Sequence, residues 1–278
     1  MDRRRLPAAR LWPILLAAPL AVAGMLAYAE VLHRLGLVSG AHKLMLAVFL
    51  AAIVASMAGF AFSALCGAAL FHLPYDHVQV VQTLMLCSIA IQALALSVLF
   101  RSIEWRLLPA FLAGGVIGLP IGLGVLLLAD RDSFGMTVGA MLSTYAAAML
   151  LRRRPIVLHA SRSRDLLAGL LGGITGGAAA FPGGPVTVWC QMCGWPHQRQ
   201  RGVFQPFILA MQLLALAFLA LGLSPGAPSL PGPLAWAAVP VALAGALLGL
   251  RAYGTMNDAQ FRTAANLLLL VSGVALLL

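Results

Sequence analysis

The chain has 278 residues, 62% of them hydrophobic and only 9% charged, with a mean hydropathy of +0.96. A soluble domain carries about 25% charged and about 45–50% apolar residues, so a soluble globular enzyme, a disordered chain and a disulfide scaffold are excluded. Eighteen Lys and Arg against eight Asp and Glu give a net charge of +10; the basic residues sit in short loops between apolar runs, the pattern of cytoplasmic loops in membrane proteins rather than of a nucleic-acid binder.

Residues 1–42 hold an Arg-rich tail, an apolar run at 12–32 and a loop. The run reads as a signal anchor or first transmembrane helix, or as a cleaved signal peptide, because Ala27-Tyr28-Ala29 has the small-x-small form that precedes a cleavage point. In either case the N-terminus is cytoplasmic and residue 33 lies outside. Apolar runs follow at 43–71, 79–100, 107–129 and 134–151, then an Arg-rich link at 152–165, then runs at 166–193, 203–223, 232–250 and 261–278. They are too long for barrel strands and lack period-2 alternation, so the expected class is an all-α polytopic membrane protein.

Two runs are interrupted. Run 43–71 contains Ser56, Gly59, Ser63, Cys66 and Gly67; run 166–193 contains Gly172, Gly173, Gly176 and Gly177, then Phe181-Pro182-Gly183-Gly184-Pro185. Each Pro removes a backbone donor and each Gly costs about 1 kcal/mol against Ala, so the second run cannot be one continuous helix. Positive charge decides whether these runs cross the membrane. If both cross, nine Lys and Arg fall on each side; if both are re-entrant, fifteen lie inside and only Arg34, Lys43 and Arg131 outside. The second count is a positive-inside signature. It predicts two inverted repeats, 43–151 and 166–278, each a re-entrant helical hairpin plus three transmembrane helices, joined by the cytoplasmic link 152–165. Weak traces support the repeat. Gly59-Phe-Ala-Phe-Ser63-Ala-Leu-Cys66 aligns without gaps with Gly183-Gly-Pro-Val-Thr187-Val-Trp-Cys190, Pro109 to Gly118 aligns with Pro240 to Gly249, and Gln92 matches Gln212. Interrupted segments at matching positions of inverted repeats point to a secondary transporter with a midplane site.

All eight acids sit at span ends or in loops, so a cation substrate is disfavoured. No Ser/His/acid or His/Cys cluster lies within one run, and no catalytic residue, metal or cofactor is expected. A helix broken at a Gly-rich turn presents free N–H groups and the positive end of a helix dipole, which together attract an anion. The expected substrate site is therefore Gly59, Ser63, Gln92, Gly183, Gly184, Thr187 and Gln212, between the two hairpin turns. No buried Arg is expected there. Gly114, Gly118, Gly122, Gly245 and Gly249 read as close-packing positions. Cys190-Gln-Met192-Cys193 leaves open a soft-metal transporter.

The residues also resemble a known family. Gly172-Gly-Ile-Thr-Gly176-Gly, Gly183-Gly-Pro, Gly194-Trp-Pro and Arg201 are similar to the glycine-rich region and following loop of the sulfite exporter TauE/SafE family, the four-toluene-sulfonate uptake permeases. Gly114-Gly-Val-Ile-Gly118-Leu-Pro-Ile-Gly122 resembles that family's fourth-span pattern, and Leu243 to Arg251 with Phe261-Arg262 resembles its ending. The resemblance covers about residues 43–278 and implies a multi-pass protein of the cell (inner) membrane carrying a small sulfur oxyanion such as sulfite, thiosulfate or an organosulfonate. An interior-negative potential expels an anion by about 2.3 kcal/mol per charge per 100 mV, which favours export. A non-transporting membrane scaffold stays open beside it: a transporter predicts a polar cavity between the hairpin turns, a scaffold predicts solid contact there.

Overall fold

The computed structural model describes residues 41–60, 62–70, 75–128, 158–221 and 231–253, with a few isolated positions near 27–31, 136–147 and 263–274. The runs expected at 12–32, 134–151 and 261–278 and most of the Arg-rich link lie outside the described residues. Every described element is helical: α1 (Ala41–Ala58), α2 (Phe62–Leu70), α3 (His77–Leu99), α4 (Leu108–Leu128), α5 (Arg162–Ala179), α6 (Gly183–Met192), α7 (His197–Ala220) and α8 (Pro233–Tyr253), with one 3-10 turn at Phe100–Ser102. Four of these, α3, α4, α7 and α8, are long and apolar enough to cross a membrane, at the positions the hydropathy pattern predicts.

The two interrupted runs become helix pairs. Run 43–71 folds as α1 and α2, and run 166–193 as α5 and α6. The first break falls at Gly59, whose φ of +87° suits a residue without a Cβ. The second falls at Ala180, which adopts φ +53° just before Phe181 and Pro182. Pro182 has a fixed φ and no N–H, so α5 cannot run on through it, and the chain resumes helix at Gly183. Pro185 lies in the first turn of α6, as expected. Polar caps start two helices: the Asp76 carboxylate accepts from the N–H groups of Val78 (2.9 Å) and Gln79 (3.2 Å) ahead of α3, and the Ser161 hydroxyl accepts from the N–H of Arg164 ahead of α5.

The most extensive helix contacts are between α4 and α5 and between α1 and α8, while α3 and α7 contact each other at the centre. Glycine sets the closeness of the outer pairs. On α4, Gly114, Gly118 and Gly122 meet the backbone carbonyls of Leu166, Leu170 and Ile174; in return Gly169, Gly173 and Gly177 of α5 meet those of Phe111, Gly115 and Leu119. Gly245 and Gly249 of α8 meet the carbonyls of Phe49 and Ile53 on α1 in the same manner. The expected packing role of the α4 and α8 glycines is what the structure has: a Cβ at any of these positions would lie on backbone that cannot rotate away.

Hydrogen bonds fix which segments share an end of the bundle. The N–H of Glu104 donates to the Gly202 carbonyl (3.1 Å), Gln198 Nε2 donates to Ser102 Oγ (3.2 Å), and Arg199 pairs with Glu104 at 3.5 Å. The α3–α4 loop and the start of α7 therefore lie together. At the open end of the second helix pair, the Leu158 N–H donates to the Met192 carbonyl (2.8 Å), and Trp189 Nε1 donates to Asp165 Oδ1 (2.7 Å).

Candidate functional site

The central helices hold the two turns. Gln92 of α3 donates from Nε2 to the Gly59 carbonyl at 3.1 Å, and Gln212 of α7 donates from Nε2 to the Ala180 carbonyl at 3.2 Å. Both side chains are buried. A left-handed residue at the end of a helix leaves its carbonyl outside the helical ladder, and a buried carbonyl without a donor is costly. Each Gln meets that need at its own turn. The residue that corresponds to Gly59 in backbone role is therefore Ala180, three residues before Gly183. The gapless alignment of Gly59 with Gly183 follows residue type, whereas the turns correspond through φ and through the Gln clamp.

The other expected site residues divide between the two pairs. Ser63 is buried in the first turn of α2, and Thr187 is fully buried in α6 with its hydroxyl lacking a hydrogen-bond partner. Gly183 faces the first turn: a Cβ there would lie 3.1 Å from Phe60 Cβ and 2.6 Å from the end of Ile208. Gly184 instead faces the ring of Phe181. The structure thus brings Gly59 to Gln92, sets Gly183 against Phe60, and places Gln212 at the neighbouring turn.

Between the turns lies an aromatic cluster. The Phe60 ring stands 5.6 Å from that of Phe204, edge to face, and 6.5 Å from that of Phe181. All three are buried. These rings lie between the turns, where a polar cavity was expected. A cavity of about 670 Å³ lies alongside the second pair instead, lined from Arg164 and Leu158 at one end to Thr175, Phe181 and Gly184 at the turn, with Leu167, Leu171, Trp189 and Met192 between. Phe181 both lines this cavity and contacts Phe60, so it stands between the cavity and the first hairpin.

One group was not foreseen. Arg201, expected in a loop, is the fifth residue of α7 and fully buried (0% exposed). The expectation that no Arg lies inside the bundle is therefore corrected: the first turn of α7 is covered by the α3–α4 loop and by the end of α1, which carry Arg201 inward. Its Nη2 donates to the Ser56 carbonyl at 3.1 Å, and Gln205, with its carboxamide oxygen turned toward it, accepts from Nη2 (3.0 Å) and Nε (3.2 Å). The available sequence signal was the i, i+4 spacing of Arg201 and Gln205, which puts a cation and an amide on one face of an apolar helix.

Asp165, in the first turn of α5, is buried at 3% exposure. Burial pushes its carboxyl up from the ordinary carboxylate range, and the hydrogen bond from Trp189 pulls in the other direction. Cys190 and Cys193 are buried free thiols, and among the described residues no group of three or more His, Cys, Asp and Glu could hold a metal ion. A family model described as "Sulfite exporter TauE/SafE" matches residues 44–276 of the chain. No curated protein and no solved structure matched it.

Proposed function

The chain belongs to the sulfite exporter TauE/SafE family, a family of membrane transporters, and from that premise we propose that it exports a small sulfur oxyanion, such as sulfite, thiosulfate or an organosulfonate, bound at the two hairpin turns. The observation that carries this reading is the matched pair of Gln clamps. Two helices are broken inside an apolar bundle, and each break is held by a carboxamide from a central helix. Broken backbone at membrane depth is tolerated only where it is buried in protein or lines a cavity, and in secondary transporters it builds the substrate site.

The same reading takes 43–151 and 166–278 as inverted repeats, with the N-terminus in the cytoplasm and both helix pairs re-entrant. Helix contacts that occur in twos support it: α1 on α8 and α5 on α4, α1 with α2 and α5 with α6, around the α3–α7 centre. In this arrangement the Phe60–Phe181–Phe204 cluster is the closed barrier, and Gly59, Ser63, Gln92, Gly183, Gly184, Thr187 and Gln212 surround the path it blocks.

The test is anion flux from proteoliposomes against sulfite, thiosulfate, sulfate and short sulfonates. Transport of at least one sulfur oxyanion is expected. Gly184→Leu is expected to abolish it, because the new side chain needs the space of the Phe181 ring. A folded wild-type protein that moves none of the panel would leave a scaffold role standing in its place.

A further inference from the structure

We propose that the groove beside the second helix pair binds one anionic phospholipid, with an acyl chain laid along α5 and the headgroup phosphate on Arg164. The site is separate from the anion path and goes beyond the transport reading, which it neither needs nor tests.

The cavity of about 670 Å³ runs between α5 and α6 from Arg164 at one end to Thr175 and Phe181 at the other. Arg164 and Thr175 lie on one helix, and the rise between them is about 16 Å. That is close to half of the ~30 Å hydrocarbon core of a bilayer. The walls between are apolar, with Leu167, Leu171, Val188 and Met192 among them. Leu167 and Leu171 are 53% and 47% exposed, so the groove is open along α5 rather than sealed inside the bundle. An open apolar wall of this length matches one acyl chain of one leaflet.

The polar atoms decide between a lipid and a free oxyanion. At the inner end the Thr175 hydroxyl is engaged with the Phe181 carbonyl (2.9 Å), and the Trp189 indole N–H is given to Asp165 (2.7 Å). An oxyanion drawn to that depth would lose its water and find neither donor free. Arg164, at the mouth, is exposed and uses one N–H on the His159 carbonyl (3.1 Å). A guanidinium carries five, so donors remain for a phosphate. Charge at this end is one-sided. Arg152, Arg153, Arg154, Arg162 and Arg164 precede α5 or open it, and the acid that follows them, Asp165, is buried against Trp189. Basic clusters at the end of a membrane span attract anionic headgroups. A cationic mouth on an apolar groove is complementary to an amphiphile with a negative head. The chain end meets Phe181, whose ring stands 6.5 Å from that of Phe60, so the lipid touches the cluster between the turns.

The experiment is native mass spectrometry of the full chain in detergent, titrated separately with dioleoyl phosphatidylglycerol and dioleoyl phosphatidylcholine. Wild type is compared with Arg164→Gln, Leu171→Trp and Leu167→Trp. Wild type is expected to retain one phosphatidylglycerol more than about 5-fold more tightly than phosphatidylcholine. Arg164→Gln should lower that preference by about 5-fold, the effect of one basic residue worth about 1 kcal/mol at an anionic headgroup. Leu171→Trp should abolish retention of both lipids, because the indole fills the groove. If that variant does not fold, Leu167→Trp makes the same test one turn nearer the mouth. Equal retention of the two lipids by wild type overturns the proposal, and so does an undiminished preference in Arg164→Gln. Phosphatidylglycerol binding that survives the Trp variants places the lipid elsewhere and overturns it as well. Displacement of the lipid by millimolar inorganic phosphate would show a headgroup site without a seated chain, which also overturns it. So would a wild-type dimer that Leu171→Trp converts to monomer, since a second copy then covers the groove.

Discussion

Gly59 and Ala180 do the same work with unequal means. Both end a helix in the left-handed region, at φ +87° and +53°, but only one of them is glycine. A left-handed conformation costs a residue with a Cβ about 1–2 kcal/mol. Gly59→Ala is expected to lose at least that amount, since its Cβ also crowds Arg201, and Ala180→Gly is expected to gain up to about 1 kcal/mol after the entropy glycine adds to the unfolded chain. Unfolding midpoints of the two variants in detergent should move in opposite directions; a shift of both the same way would show that the turns are not limited by backbone strain. Asp165 gives a pH signature. Its folded carboxyl holds its proton more tightly than the unfolded one, so stability is greatest below the unfolded carboxylate range and is lost as pH rises through the raised folded value. Asp165→Asn keeps an acceptor for the Trp189 indole and should flatten that dependence while raising stability at neutral pH. Part of this residue-level detail was legible beforehand. Gln92 and Gln212 stood out as buried amides at matching places, whereas Ala180 is an ordinary alanine until its φ is known. Arg201 was hidden because a cation so near the start of a span reads as a loop residue, and only the tertiary cover over that end buries it.

At the level of elements, glycine spacing carries two messages that sequence cannot separate. The small-residue rows of α4 and α8 are legible as packing because they interrupt otherwise continuous apolar helices. On α5 the glycines looked like helix breakage, yet α5 is helical through Ala179. It has two stripes: Gly169, Gly173 and Gly177 admit α4, while Gly172 and Gly176 make room for Phe207 and for Pro182 of the turn. The break itself comes three residues after Gly177, where Pro182 ends the ladder. Two substitutions on α4 separate contact from propensity. Gly118→Ala places a methyl on the Leu170 carbonyl and should cost roughly 1–3 kcal/mol, an overpacking penalty. Gly124→Ala meets nothing within 4 Å and should stabilise by about 0.5–1 kcal/mol through helix propensity. Equal effects at the two sites, read from detergent unfolding curves, would mean that α4 and α5 do not interlock as described.

On the scale of the whole molecule, charge and contact address the same question by separate routes. The count of fifteen inside against three outside rests only on where Lys and Arg fall. The hydrogen bond from Gln198 to Ser102 and the Arg199–Glu104 pair rest only on the fold, and they place the loop holding Arg101 and Arg106 beside the start of α7. The proposed re-entrant reading puts these two segments on one face of the membrane, and their contact supports that proposal. The proposed topology can be argued from sequence because membrane insertion is governed by charge that is visible residue by residue. What stayed illegible was the aromatic cluster between the turns, since Phe60 and Phe181 come from the two helix breaks and Phe204 from within α7, and they meet only in the folded bundle. The topology is tested with single cysteines in a background where the four buried native ones are replaced. Cysteines at Ser102 and Gln198 should label only from the cytoplasm, and so should one in the 152–164 link. One at Tyr75, ahead of α3, should label only from outside. Labelling of the link by an impermeant reagent added externally, or of Ser102 and Gln198 from opposite faces, would remove the inverted repeat and with it the reason for placing one anion path between the two hairpins.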